Sequence, residues 1–272
     1  MFNYSWGSFG KVHAVTIIFA IIVSICLLLF LKKRSRKFQI ISLFLLSFGG
    51  MAAIVYNFVK ADSLYEALPL TFWALNAIIL PFAVLFRKKW ICNLSLIWSL
   101  SSVFALILNF DMARVKVFSW DFVFYYVPHV ICVAVPLLLF GLRLVSFDFK
   151  TVKTTLAFTF VAYTATHFAN IAINSANMVN AAGEIIKVNY MNSLYPTNAF
   201  LNFLYLIIPS PYWYMYLTLP IILFVIAWWY LPDLLDYLRT TRGLRARLRA
   251  VDEYYKEYEE EYIDEIIEEK YD

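Results

Sequence analysis

The residues best suited to chemistry in this chain are its three histidines, His13, His129 and His167. Imidazole is the side chain that exchanges a proton near neutral pH, and its two nitrogens can also hold a ligand or a neighbouring helix. Around His167 lies a second pattern. Tyr163, His167, Asn170, Asn174 and Asn177 recur at intervals of 4, 3, 4 and 3, which places all five on one helix face. A stripe of phenol, imidazole and amides in an apolar helix faces either a wet cavity or another helix, and the spacing leaves both open. Asn76 and Asn57 offer further amides. The expected pocket is lined by His129, His167, Asn170, Asn174, Asn76 and Tyr163, and its ligand is a lipid headgroup. His13 and His129 fall in the same half of the membrane, where a shared polar pocket is expected. Cys26, Cys92 and Cys132 lack ligand spacing and read as packing residues. No metal site and no cofactor is expected.

These side chains need elements to carry them, and the composition says which. Of the 272 residues 62% are hydrophobic, 19% aromatic and only 15% charged, with a mean hydropathy of +0.69. A soluble domain carries about 25% charge and cannot bury so much apolar surface. The remaining class is all-α and polytopic, because a chain in lipid must satisfy its backbone internally. Seven spans are expected, over 12–31, 38–59, 67–86, 90–109, 122–142, 154–174 and 212–231. Each is near the length of a bilayer core. The ten-residue apolar run from Ala199 to Ile208, closed by Pro209 and Pro211, is too short to span and reads as a re-entrant or interfacial helix.

The basic residues orient the spans. All of the 23 except Lys11, Lys60, Arg114, Lys116 and Lys187 lie in the loops 1–2, 3–4 and 5–6 or in the C-terminal tail. By the positive-inside rule these segments are cytoplasmic and the N-terminus is outside. Two regions follow, a transmembrane domain over 1–232 and a cytoplasmic tail helix over 233–272. In that tail Leu244, Leu248, Val251, Tyr255, Tyr258 and Tyr262 make a heptad-like seam. The seam suits docking to a cytoplasmic partner or to a second copy of the chain, and a solvated helix is the alternative. Residues 252–272 carry 11 acids and 2 lysines, so the net charge of +4 combines −9 there with +13 elsewhere. That distribution points to membrane phospholipids as partners and not to nucleic acid.

Several short motifs resemble the YwaF-type bacterial integral membrane proteins. They are Phe9 to His13, Leu68-Pro69-Leu70, Trp98, Asp111, the run Tyr125 to His129, Asn170, Asn189 to Met191 with Pro196, and Pro211 to Tyr214. The resemblance covers most of residues 9–232 and implies a multi-pass protein of a bacterial plasma membrane. Eukaryotic relatives of that family include a membrane acyltransferase for ether-linked lysophospholipids. The family pattern follows Leu-Pro-Leu with His, an apolar residue and Cys, and that Cys looks like the acyl-carrying nucleophile. Here Thr71 stands at the His position and Trp73 at the Cys position. An indole cannot act as a nucleophile. The expectation is therefore a protein with a degenerate acyltransferase motif, serving as a non-catalytic lipid-binding or partner-binding membrane subunit. The alternatives are a lipid acyltransferase using His129 with Thr71 or water, and a small-solute transporter.

Overall fold

A computed structural model describes residues 5–7, 9–108, 114–220, 222–224, 227, 228, 231, 235 and 239–254. Asp111, Tyr255, Tyr258 and Tyr262 lie outside them. The elements are α1 (Lys11–Lys32), α2 (Arg36–Lys60), α3 (Phe72–Phe86), α4 (Lys89–Leu108), α5 (Trp120–Gly141), α6 (Val152–Ser175) and α7 (Ala199–Ile207). Among the described residues, extended pairing is limited to the isolated bridges Ser5–Lys116 and Val179–Ile185. Among the described residues five helices, α1, α2, α4, α5 and α6, are long and apolar enough to cross a membrane. The protein is thus an all-α membrane protein with several apolar helices.

Side-chain caps set many of the helix starts. Ser35, Thr71, Ser119 and Asn198 each accept a hydrogen bond from the backbone N–H three residues on, which satisfies a donor the helix itself cannot use. The cap at Thr71 corrects one expectation. The third helix begins at Phe72 and not at Ala67. Pro69 disfavours helical backbone at Leu68, a 3-10 turn occupies Leu64–Glu66, and Thr71 is extended at φ −111°. The 15 residues of α3 reach about 22 Å, less than a bilayer core.

The seventh expected span is also altered at its start. Tyr212 sits in left-handed backbone at φ 68° and 3-10 turns follow over Trp213–Thr218. The chain is α-helical at every described position from 219 to 254. The short helix expected at 199–208 is present as α7.

Met1–Leu219 and Pro220–Asp272 form two compact units. In the first, α2, α3, α4 and α5 make a ring in which each packs on two neighbours, and α3 touches α5 across the middle. Small residues let the axes approach, the usual device where lipid offers no hydrophobic drive between helices. A Cβ on Gly50 would lie 3.2 Å from Cys132 Sγ and 3.5 Å from Ala77 Cβ. Ala53, Ala74 and Ala77 are buried at the same junction. α6 packs on α4, and α1 packs chiefly on α5. Most of α1 is exposed, including Val15, Ile18, Phe19 and Ile22, and exposed apolar side chains continue over α2 (Leu45, Val55) and α6 (Val161, Phe168). Water would not tolerate such a surface, whereas lipid tails do.

Alternating helix directions gather the loops into two ends. At one end Arg36 Nη1 donates to Arg143 O at 3.3 Å, and Lys89 pairs with Asp148 at 3.4 Å. At the other, Lys60 pairs with Asp121, Ala181 N donates to Asp62 O and Leu68 N donates to the Tyr190 hydroxyl. In the second unit the seam residues Leu244, Leu248 and Val251 are exposed on helix.

Candidate functional site

α5 carries two prolines inside its length, Pro128 and Pro136. Each removes a backbone donor and frees the carbonyl four residues earlier. His129 follows the first and is almost fully buried. Its Nδ1 lies 2.6 Å from Tyr125 O. A carbonyl only accepts, so Nδ1 carries the proton and Nε2 presents a lone pair. That Nε2 is buried and, among the described residues, has no hydrogen-bond partner. The ring lies 4.3 Å from Tyr125 and 4.6 Å from Trp73, centroid to centroid.

His129 lines a cleft of about 290 Å³ at the junction of α2, α3 and α5. α2 contributes Ala53, Tyr56, Asn57 and Lys60; α3 contributes Trp73; α5 contributes Asp121, Phe124, Tyr125 and His129, and Val115 closes it from the preceding loop. Within it the Tyr56 hydroxyl donates to Asp121 Oδ1 at 2.7 Å, and Lys60 pairs with the same carboxylate oxygen. Tyr56 stacks on Phe124 at 4.4 Å. The cleft therefore combines aromatic walls, an ammonium–carboxylate pair and the imidazole of His129. Such a set suits a ligand with an apolar body and one good hydrogen-bond donor.

The two candidate catalytic residues are not joined. Thr71 does not line the cleft, and its Oγ1 accepts from Ala74 N as the α3 cap. The indole of Trp73, standing at the sequence position discussed above, occupies the face of His129.

Asn76 lies fully buried beside this junction, but its amide has another task. Pro136 leaves Cys132 O without its helical donor, and Asn76 Nδ2 donates to that carbonyl at 3.2 Å. Asn76 Oδ1 accepts from Ser95 Oγ at 2.7 Å. The residue ties α3 to α4 and α5 and repairs the proline defect.

The α6 stripe binds a segment of its own chain. Asn170 donates to Tyr190 O at 2.8 Å and accepts from Tyr190 N at 3.0 Å. Asn174 does the same with Val188, donating at 2.9 Å and accepting at 2.8 Å. The match is geometric. Positions four apart on a helix rise about 6 Å, and alternate residues of an extended segment are about 6.6 Å apart. Asn170 also donates to Ser193 Oγ, and His167 Nδ1 lies 3.1 Å from the same hydroxyl. Tyr163 donates to Tyr212 O at 2.8 Å, and the Asn177 amide donates to Ser175 O at 3.3 Å. Tyr190 carries the fixation onward, accepting from Leu68 N and donating to Tyr65 O. Burial pushes its phenol up to about 12.

His13 is likewise engaged. Phe9 N donates to its Nδ1 at 3.0 Å, so Nε2–H donates to Leu106 O at 2.8 Å. Trp6, fully buried, stands 5.3 Å from His13 and 5.8 Å from Tyr125. His13 does not line the His129 cleft. The expected pocket residues thus fall into separate places: His129 in the cleft, Asn76 in the helix core, the α6 stripe on the loop. Sequence reasoning missed Tyr56, Lys60, Asp121 and Trp6. The available signal for Asp121 and Lys60 was opposite charge at the ends of two apolar runs.

A family model described as the TMEM164 family matches residues 8–230. That is most of the chain, and the chain belongs to this family. No curated protein and no solved structure matches it.

Proposed function

We propose that this TMEM164-family chain is a non-catalytic multi-pass membrane subunit that holds an amphipathic, lipid-like ligand in the His129 cleft. The observation that supports this reading best is the Trp73 indole packed on His129. In the YwaF-type pattern that the sequence resembles, the position of Trp73 holds the nucleophilic Cys. With Thr71 serving as the α3 cap, no side chain at either motif position is poised to take an acyl group. The Nε2 lone pair then serves as a hydrogen-bond acceptor for the ligand, and the Lys60–Asp121 pair meets its polar end. The α6 amides position the 188–193 segment and leave the cleft to α2, α3 and α5.

The same reading places seven spans in a bacterial plasma membrane, with the N-terminus outside and the Arg36–Arg143 end in the cytoplasm. The tail seam from Leu244 onward docks a cytoplasmic protein or a second copy of the chain. The basic residues of the loops support this orientation.

The test uses full-length protein in lipid nanodiscs, supplied with a deuterated phosphatidylcholine donor and an ether lysophospholipid acceptor. No transfer above empty nanodiscs is expected. A photoreactive lysolipid should label the cleft helices, and His129→Ala should reduce that labelling. A second reading, catalysis by His129 as a base toward water or Thr71, draws on the unpartnered buried Nε2. Acyl transfer that disappears in His129→Ala would establish it and overturn the first.

A further inference from the structure

The end of the bundle away from the His129 cleft carries a second concavity, of about 410 Å³, lined by Lys32, Arg36, Gln39, Gly141, Leu142 and Arg143. We propose that it binds the phosphate group of an anionic phospholipid headgroup. This inference is independent of any role for His129.

Three cations line one hollow, and among the described residues no ion pair neutralises them. The acid described at this end, Asp148, is already engaged. Its carboxylate accepts from Lys150 N at 3.0 Å and pairs with Lys89 at 3.4 Å, and both contacts hold its carboxyl below the usual range. Like charges gathered in a concave surface raise the local potential and draw in an anion.

The backbone beneath the cations is fixed. Gln39 is buried, and its Nε2 donates to Leu31 O at 2.9 Å and Arg34 O at 3.1 Å, locking the α1–α2 turn. Arg36 holds Arg143 O, and Arg143 turns sharply out of α5 with φ 54°. Arg36 is the first residue of the 25-residue α2, so the positive end of that helix dipole adds to the three side chains.

Two features favour a lipid over a free ion. Gly141 leaves the floor without a side chain, where a Cβ would come within 3.2 Å of Leu28 on α1. Leu29 and Phe30, one turn before Lys32, are exposed apolar surface. A headgroup in the hollow therefore has room for its acyl chains along α1. Basic pockets between helices at a membrane surface take anionic headgroups in this way.

The experiment is lipid titration followed by native mass spectrometry on the full chain in detergent. The probes are phosphatidylglycerol, phosphatidylcholine and inorganic phosphate. Phosphatidylglycerol should bind preferentially. The triple variant K32Q/R36Q/R143Q should weaken it by about 100-fold, from about five-fold per cation. The control R87Q/K88Q, at the same end but outside the hollow, should leave binding within about two-fold. Equal losses in both variants, or none in the triple, would overturn the site. Displacement of phosphatidylglycerol by millimolar inorganic phosphate would overturn the lipid source. If the triple variant does not fold, K32Q and R36Q singly carry the test, each with an expected loss of about five-fold. Single variants that bind like the parent would overturn the proposal.

Discussion

Asn76 offers a direct test of the difference between a pocket wall and a structural repair. Pro136 supplies no N–H, so Cys132 O depends on Asn76 Nδ2 at 3.2 Å. Asn76→Ala removes that bond and the bond from Ser95 Oγ to Asn76 Oδ1. Interhelical hydrogen bonds in membranes are worth about 0.6 kcal/mol each, rising to about 1.7, and an orphaned buried acceptor costs about 1–3 kcal/mol. The single substitution should therefore destabilise the bundle by about 2–3 kcal/mol. In a Pro136→Ala background the residue at 136 regains an N–H aimed at Cys132 O. There Asn76→Ala should lose only the Ser95 bond, about 1 kcal/mol. The predicted coupling is thus about 1–2 kcal/mol, read from a double-mutant cycle by steric trapping in bicelles. Equal costs of Asn76→Ala in the two backgrounds would refute the account of Asn76 as the donor that replaces the proline's missing N–H.

Other expectations follow from the same contacts. Asn170→Ala deletes the bonds to both Tyr190 N and Tyr190 O, so hydrogen–deuterium exchange should rise at residues 188–193, with about 2–3 kcal/mol lost. Tyr190 is neutral in the fold, and its pKa is raised from 10 to about 12. A raised pKa means its contribution is complete below pH 10 and is lost as pH climbs through 12. An absorbance titration should show one late phenol fewer in Tyr190→Phe than in the parent. Gly50→Val places side-chain atoms against Cys132 Sγ and Ala77 Cβ. It should cost about 1–3 kcal/mol by overpacking, visible as a lower thermal unfolding midpoint in detergent.

The membrane class was legible at once, because composition counts apolar surface and needs no geometry to do so. Helices α1, α2, α4, α5 and α6 were legible because twenty apolar residues in lipid have one backbone solution. The start of α3 was not, since hydropathy over 67–71 resembles that over 72–76, and only Pro69 and the Thr71 cap distinguish them. The polar face of α6 followed from spacing alone. Its partner did not, because residues 188–193 lie some twenty positions away and have no periodicity to mark them.

By itself the sequence determined which long apolar segments must be helical, which loops are basic and which face of α6 is polar. These properties depend on residue type and interval along one chain segment. Only the tertiary structure decided what each polar group meets. It paired the amides of Asn170 and Asn174 with the 188–190 backbone, Asn76 with the carbonyl bared by Pro136, and both nitrogens of His13 with the main chain. Among the described residues it left His129 Nε2 buried without a partner, with the ring lining a cleft built from three helices. The physical reason is that a hydrogen bond needs two groups within about 3 Å. Distances between segments remote in sequence are set by packing, which no local pattern encodes.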